Sequence, residues 1–111
     1  MAEQTSTDPL IALLADMTAS SIEASELDAE TLLLVRIAAL VAVDAPLPSY
    51  LMNLGAADEL DIAPERVHGV LTAVAPIVGT ARVVSAAIKM MEALGIRIEL
   101  AELALEADAT E

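Results

Sequence analysis

The positions of the five prolines constrain most strongly how this chain of 111 residues can fold. A proline lacks a backbone hydrogen-bond donor, so it suits the first turn of a helix better than its interior. Asp8 followed by Pro9 therefore predicts a helix start at "LIALLADMTASS", and Pro64 predicts another in "IAPERVHGVLTAVAPIVG". Pro76 predicts a kink or an end in that segment. No segment shows the sustained alternation of apolar and polar residues that marks a half-buried strand.

The stretch between residues 25 and 60 predicts two more helices. After a weak hinge at "SIEASEL", Ser25 or Asp28 can cap a helix that runs to about Asp44. The prolines in "VAVDAPLPSYLMN" break this helix, because each removes a donor and restricts the residue before it. A third helix then begins near Pro48 and runs through "SYLMNLGAADEL".

The last third of the chain predicts one or two helices. We expect Thr80 to cap a helix over "GTARVVSAAIKMMEALG" and Gly95 to stop it. The segment "IRIELAELALEA" then forms either a short sixth helix or a continuation of the fifth. The predicted fold class is therefore all-α, with residues 1–111 forming one domain, a compact array of five or six helices.

The core of such a domain must be aliphatic. Hydrophobic residues make up 57% of the chain but aromatic residues only 1%, so Leu, Ile, Val, Ala and Met have to fill the interior. The pair Met90 and Met91 suits core or interface packing. A small domain has a high ratio of surface to volume, and so much apolar side chain is hard to bury within one copy. We therefore expect a homo-oligomer, with the chain itself as its partner.

The net charge of −13, from 18 acidic and 5 basic residues, argues against nucleic acid and anionic membrane surfaces as partners. Part of this charge lies near the carboxyl end, at Glu99, Glu102, Glu106, Asp108 and Glu111. The longest apolar run, residues 32–43, contains Arg36 and is too short to span a bilayer. The first residues lack the basic and apolar regions of a signal peptide, so we expect a cytoplasmic protein.

Cysteine is absent, which excludes disulfides, thiol redox chemistry, iron–sulfur clusters and cysteine-based zinc sites. The single histidine excludes a metal site with two histidine ligands, and no glycine-rich phosphate loop occurs. We therefore expect neither a metal nor a cofactor. These features leave open whether the protein is an enzyme.

Arg36 is the most unusual polar residue, because it lies within the most apolar of the predicted helices. A guanidinium in such surroundings must reach an acid, a carbonyl or solvent, since burying it unpaired is very costly. It can form a structural ion pair, also across a subunit interface, or bind the carboxylate of a ligand. Arg82, near the start of the fifth helix, raises a similar choice between a salt bridge and a ligand anion, because the helix dipole disfavours a cation there.

Four further residues are candidates for a site. His68 lies on the flank of an apolar helix face, where it is either an ordinary residue at the edge of the core or an acid–base catalyst. Tyr50 and Asn53 lie about one turn apart and share a helix face, with Ser49 nearby. These residues can line a ligand pocket or pack in an interface, since buried Tyr and Asn need hydrogen-bond partners in both cases.

The order of segments over residues 30–87 resembles the core of a known family. The stretch "ETLLLVRIAALVAVDAPLPSYLMNLGAADELDIAPERVHGVLTAVAPIVGTARVVSAA" has an "AL-x-V" helix, a short break, a helix that ends in "GAADELDIAPERV", and a helix followed by glycine. This pattern resembles the carboxymuconolactone decarboxylase family, which includes the alkylhydroperoxidase-D-like proteins. The resemblance implies an all-helical subunit that assembles as trimers or hexamers, with pockets near the subunit contacts.

Redox-active members of that family carry Cys-x-x-Cys-x-x-x-His at the start of the third helix. Here the cysteine positions correspond to Pro46 and Ser49, the histidine position to Asn53, and the proton-relaying acid falls near Leu34. Peroxidase chemistry needs a thiolate, so thiol peroxidase activity is excluded. The decarboxylase branch needs no cysteine, but its members place a histidine at the position of Asn53 and often have Gly-x-Pro where residues 79–81 read "GTA".

Two functions remain open. In the first, a non-redox member of this family binds or converts a small organic acid in an oligomer pocket; as an enzyme it would have a cofactor-independent, decarboxylase- or lyase-like activity. The ligand-binding residues would be Tyr50, Asn53, Ser49, Arg36 and Arg82. His68, from another face, would move the proton. In the second, the chain is a catalytically inactive structural or interaction module that keeps the oligomeric helical scaffold.

Overall fold

The computed structural model describes residues 8–109, with side chains up to residue 107. Five α-helices account for nearly all of this part of the chain: α1 (Pro9–Ser25), α2 (Ala29–Val43), α3 (Leu47–Glu59), α4 (Pro64–Val78) and α5 (Thr80–Ala109). No strand occurs among the described residues. The all-α fold class is therefore confirmed.

The starts of the helices follow the local chemistry that the sequence predicts. The carboxylate of Asp8 accepts a hydrogen bond from the backbone N–H of Leu10 at 2.9 Å. Asp28 accepts one from the N–H of Thr31 at 3.4 Å, so Asp28 rather than Ser25 caps α2. Each of α1, α3 and α4 has a proline in its first turn, where the helix needs no N–H donor.

Three boundaries differ from the sequence-based expectation. Thr80 does not cap α5 but is its first residue, and the N–H of Val83 donates to the carbonyl of Gly79 at 3.2 Å. The hinge expected at "SIEASEL" is helical up to Ser25, and α1 ends where Glu26 adopts a left-handed conformation with φ 59°. Gly95 does not stop α5, which runs for 30 residues, so "IRIELAELALEA" continues the fifth helix. A glycine inside a helix costs about 1 kcal/mol. This cost is too small to end a helix whose flanking residues favour it.

Two clusters of buried apolar side chains form the core. The first contains Val41, Ala45, Tyr50, Leu71, Ala86 and Ala93. The second contains Leu33, Ile37, Ala57, Ile62 and Val67. Helix α2 contributes to both clusters, and its residues Ile37 and Val41 are fully buried. Apart from Tyr50, the core is aliphatic, as the composition predicts.

Helix α1 and the carboxyl-terminal part of α5 lie outside this core. No residue of α1 is buried, and every described side chain after Arg97 is exposed. The radius of gyration is 16.3 Å, whereas a compact chain of this length has about 13 Å. None of the described helices combines the length and the apolar character that crossing a membrane requires. The compact array thus consists of α2, α3, α4 and the first part of α5.

We predict opposite effects for two glycine-to-alanine substitutions. Gly69 lies inside α4 with no heavy atom within 4 Å of an added Cβ. Gly69→Ala should therefore raise the free energy of unfolding by about 0.5–1 kcal/mol. Gly79 has φ 90° and ψ 164°, a conformation that only glycine adopts readily, so Gly79→Ala should lower it by about 1–3 kcal/mol. Urea denaturation followed by circular dichroism measures both, and effects of the same sign would contradict this account.

Candidate functional site

The proline-rich junction between α2 and α3 is held by side chains of α5. Asp44 ends α2 in a left-handed conformation with φ 55°, which aspartate tolerates better than most residues. The hydroxyl of Ser85 donates to Oδ1 of Asp44 at 2.7 Å, and the ammonium of Lys89 donates to the same oxygen at 3.0 Å. Lys89 also donates to the main-chain oxygen of Ala45 at 2.8 Å. The turn between the two helices is therefore fixed from outside.

Arg82 belongs to the same arrangement. Its guanidinium donates to the main-chain oxygen of Ala42, in the last turn of α2, where the helix dipole favours a cation. The Ser85 hydroxyl, then Lys89, and more weakly Arg82 lower the pKa of Asp44 below its ordinary value of 3.8. We call Arg82, Ser85 and Lys89 the α2 clamp. A main-chain carbonyl thus explains the position of Arg82, for which the sequence leaves a choice between a salt bridge and a ligand anion.

Tyr50 lies in the core rather than at the entrance of a site. It is fully buried, and its hydroxyl oxygen has no hydrogen-bond partner among the described residues. Burial, and then the negative charge of Asp44, raise the pKa of Tyr50 above its ordinary value of 10.0. The side chain faces the core and lines neither of the two hollows described below.

The first hollow, the Arg36 hollow, has a volume of about 520 Å³ and lies between α1, α2 and α3. Arg36 and Asn53 both line it, so the structure brings together two of the predicted ligand-binding residues. Nη2 of Arg36 donates to the main-chain oxygen of Thr18 at 3.3 Å. Nδ2 of Asn53 donates to the main-chain oxygen of Ser49 at 2.8 Å. The other lining residues are Met17, Ser21, Leu33, Ala39, Leu40, Met52 and Ala56.

The second hollow, the α4–α5 groove, has a volume of about 420 Å³ and lies between α3, α4 and α5. Its polar residues are His68, which is exposed, and the ion pair that Arg97 forms with Asp58 at 2.9 Å. The remaining walls are apolar and consist of Leu54, Ala57, Ile62, Pro64, Val67, Leu71, Ala87, Met90, Met91 and Leu94. His68 therefore lies on an apolar groove. Arg97, which also lines this groove, is already paired with Asp58 and is not free to bind an anionic ligand.

The predicted site residues do not meet in one place within a subunit. His68 lines a different hollow from Arg36 and Asn53. Sequence reasoning gives no indication of the α4–α5 groove, because it assigns Met90 and Met91 only to packing. The spacing of apolar residues along the fifth helix is the signal that could have indicated an exposed apolar face there.

No group of three or more His, Asp or Glu side chains in the described part of the chain is placed to bind a metal ion. No family model, curated protein or solved structure matches the chain. The resemblance to the carboxymuconolactone decarboxylase family therefore stays a prediction, carried by residues 30–87.

We predict that Ser85→Ala raises the pKa of Asp44 toward 3.8, because the Ser85 hydroxyl is the main cause of its lowered value. A lowered folded-state pKa contributes stability that is present above the ordinary pKa and is lost as the pH falls through the folded pKa. The variant should lose this contribution at a higher pH than the wild type. A carboxyl ¹³C NMR titration measures the pKa, with Ser21→Ala as the control. An unchanged pKa would contradict the role of this hydrogen bond.

We predict that Tyr50→Phe changes the free energy of unfolding by less than about 1 kcal/mol at neutral pH, because it removes a buried hydroxyl without a partner. The raised pKa makes the wild type lose stability as the pH rises from 10.0 through the folded-state value, and the variant lacks this loss. Urea denaturation at neutral and at alkaline pH measures the difference. A large destabilisation of the variant at neutral pH would show that the hydroxyl has a partner.

Proposed function

We propose that this protein is a non-redox member of the carboxymuconolactone decarboxylase family that self-associates and binds a small organic acid in the Arg36 hollow. The state of Arg36 supports the ligand class most directly. Arg66, Lys89 and Arg97 each pair with a carboxylate. Arg36 and Arg82 each donate to a main-chain carbonyl instead, and of these two only Arg36 lines one of the hollows described above. In a chain with a net charge of −13, a guanidinium without an acidic partner is available to bind an external anion.

The chemistry of the hollow favours a carboxylate with a short apolar body. A guanidinium can donate two parallel hydrogen bonds to a carboxylate. The amide of Asn53 and the hydroxyl of Ser21 add polar groups, while Met17 and Met52 contribute to an apolar wall. Methionine side chains adapt to different shapes. The hollow therefore suits a class of short monocarboxylates.

A decarboxylase- or lyase-like reaction in this hollow would need a group that moves a proton. Because His68 lines the α4–α5 groove, it could reach an acid held by Arg36 only from a second copy of the chain. Thiol peroxidase chemistry is not part of the proposal, since the chain contains no cysteine. One subunit alone can therefore bind the acid, whereas a reaction that uses His68 would need a second subunit.

Self-association is supported by the amount of exposed surface. The accessible surface of the chain is 7742 Å². A monomeric protein of 11.5 kDa is expected to expose about 5,800 Å². The excess of about 1,900 Å² is more than twice the roughly 800 Å² that each partner buries in a standard interface. Large apolar side chains account for part of it, such as Leu10, Met52, Ile77, Met91 and Leu105.

A catalytically inactive oligomeric scaffold is the second candidate function. It is favoured by Tyr50, which fills the core instead of lining a hollow, and by the separation of His68 from Arg36. In this case the assembly of subunits is itself the function, and no acid is bound.

We predict that hexanoate, a monocarboxylate with a flexible apolar body, binds in the Arg36 hollow. With methionine labelled at its ¹³C methyl group, hexanoate should shift the NMR signals of Met17 and Met52, which line the hollow, and not that of Met91 in the α4–α5 groove. Arg36→Gln should weaken this binding about 10- to 100-fold, because a hydrogen bond to a charged group contributes about 1.5–3 kcal/mol.

Two controls separate recognition of the acid from general effects. Arg66→Gln removes an exposed arginine that pairs with Glu30 and lines neither hollow, so it should leave the binding of hexanoate unchanged. Hexanol, which has the same apolar body without the charge, should bind more weakly than hexanoate. Signals of Met17 and Met52 that do not move at high millimolar hexanoate would contradict acid binding and favour the scaffold function.

A further inference from the structure

A row of apolar residues with a seven-residue repeat runs along α5. It consists of Val84, Ala87, Met91, Leu94, Ile98, Ala101 and Leu105, spaced alternately by three and four residues. This spacing is typical of a helix that packs against another helix along a single seam. Within the subunit, the fully buried side chains of α5 are Ala86 and Ala93, and of the repeat only Ala87 packs against their cluster. The repeat is therefore not explained by the packing of one copy.

The large side chains of the repeat are exposed. The exposed fraction is 73% for Met91, 56% for Leu94 and 68% for Leu105. Ala87, Met91 and Leu94 line the α4–α5 groove, while Ile98 and Leu105 continue the row beyond the helices of the core. The groove and the projecting part of α5 thus form one continuous apolar surface.

We infer that the α4–α5 groove binds the projecting part of α5 from a second copy of the chain. Two copies exchange these segments around a twofold axis, with the two α5 helices antiparallel. In this register two layers of the seam join a small and a large residue, Ala87 with Leu105 and Met91 with Ala101, and the central layer joins Leu94 with Ile98. The inference rests on the self-association proposed above and identifies the surface that mediates it.

The dimensions of the two parts match. Residues 98–109 form about 18 Å of helix, and residues 83–94, which include all the apolar α5 residues that line the groove, form the same length. An antiparallel arrangement places the two cores at opposite ends of the seam, whereas a parallel one would bring both α4 helices to the same level beside it. Part of the excess surface of about 1,900 Å² per chain lies on the projecting segment, since every described side chain after Arg97 is exposed.

The charged residues of α5 are compatible with this seam. Glu99, Glu102 and Glu106 follow one another at spacings of three and four residues, which places them together on one flank of the helix and beside the apolar row. Arg97, at the edge of the groove, is already paired with Asp58. The seam therefore buries apolar side chains and leaves the acidic ones in water.

Size-exclusion chromatography with light scattering, on the full chain, tests the surface. Ile98→Asp should lower the mass of the wild-type assembly, whereas Leu103→Asp should not. Leu103 is a matched control, because it is 60% exposed against 50% for Ile98 and lies on the other side of the same helix. A monomeric wild type would contradict self-association itself. An oligomer that resists Ile98→Asp, or that responds equally to both substitutions, would contradict only this surface.

Disulfide formation tests the direction of the two helices, because the chain has no cysteine of its own. Residues 91 and 101 are about 15 Å apart along one straight helix, too far for a disulfide within a subunit. The double variant Met91→Cys, Ala101→Cys should therefore form disulfide-linked dimers, and Met91→Cys alone should not. Dimers from the single variant would indicate parallel helices, and none from either variant would exclude this seam; both results would overturn the inference.

Discussion

The fold depends on how α5 holds the end of α2. At that point the chain leaves one helix in a left-handed conformation at Asp44 and enters the next through Pro46. The N–H groups of Asp44 and Ala45 bond to carbonyls of α2, but carbonyls at the end of a helix need partners from elsewhere. In the α2 clamp, Arg82 and Lys89 donate to main-chain oxygens at this point, and the hydroxyl of Ser85 holds the carboxylate of Asp44. Because the turn is fixed, α3 presents Tyr50 to the core and Asn53 to the Arg36 hollow.

The sequence predicts the features of this fold that are decided locally. Helix starts at Asp8 and Asp28 depend on a carboxylate and the N–H groups of the next turn, so a few residues suffice to predict them. Helix α5 continues through Gly95 because the cost of one glycine is small compared with the helix preference of the residues on both sides. The local stop signal is therefore misleading there. A glycine is a C-terminal signal only where the chain also has a reason to turn.

The candidate site could be predicted only in part. Arg36 is recognisable as a candidate because its neighbours in the sequence are apolar. Asn53 is a candidate because it lies one helical turn after Tyr50 on the same face of α3. That these two residues share a hollow depends on the crossing of α2 and α3, and its third wall comes from α1. For His68, the sequence predicts which face of its helix it occupies. It does not predict the groove on that face, because residues of α5 form one of its walls. Relations between distant segments are set by packing, which no local pattern records.

The proposed seam also bears on the symmetry of the assembly. A ring of three subunits has no twofold axis, whereas a hexamer made from two such rings has three. An isologous contact between α5 helices is therefore compatible with a dimer or a hexamer and not with an isolated trimer. The groove proposed to bind the partner helix and the hollow proposed to bind the acid lie on different sides of α3, so the two proposals are compatible with each other.

The connection between α4 and α5 is only one residue long, because α4 ends at Val78 and α5 begins at Thr80. Along the chain only Gly79 joins these two helices, while Leu71 of α4 and Ala86 of α5 pack in the same buried cluster. Pro76, within the last turn of α4, has no backbone N–H to donate near this connection. In the proposed dimer the partner helix would contact both α4 and α5, so it would add contacts between two helices that a single residue connects.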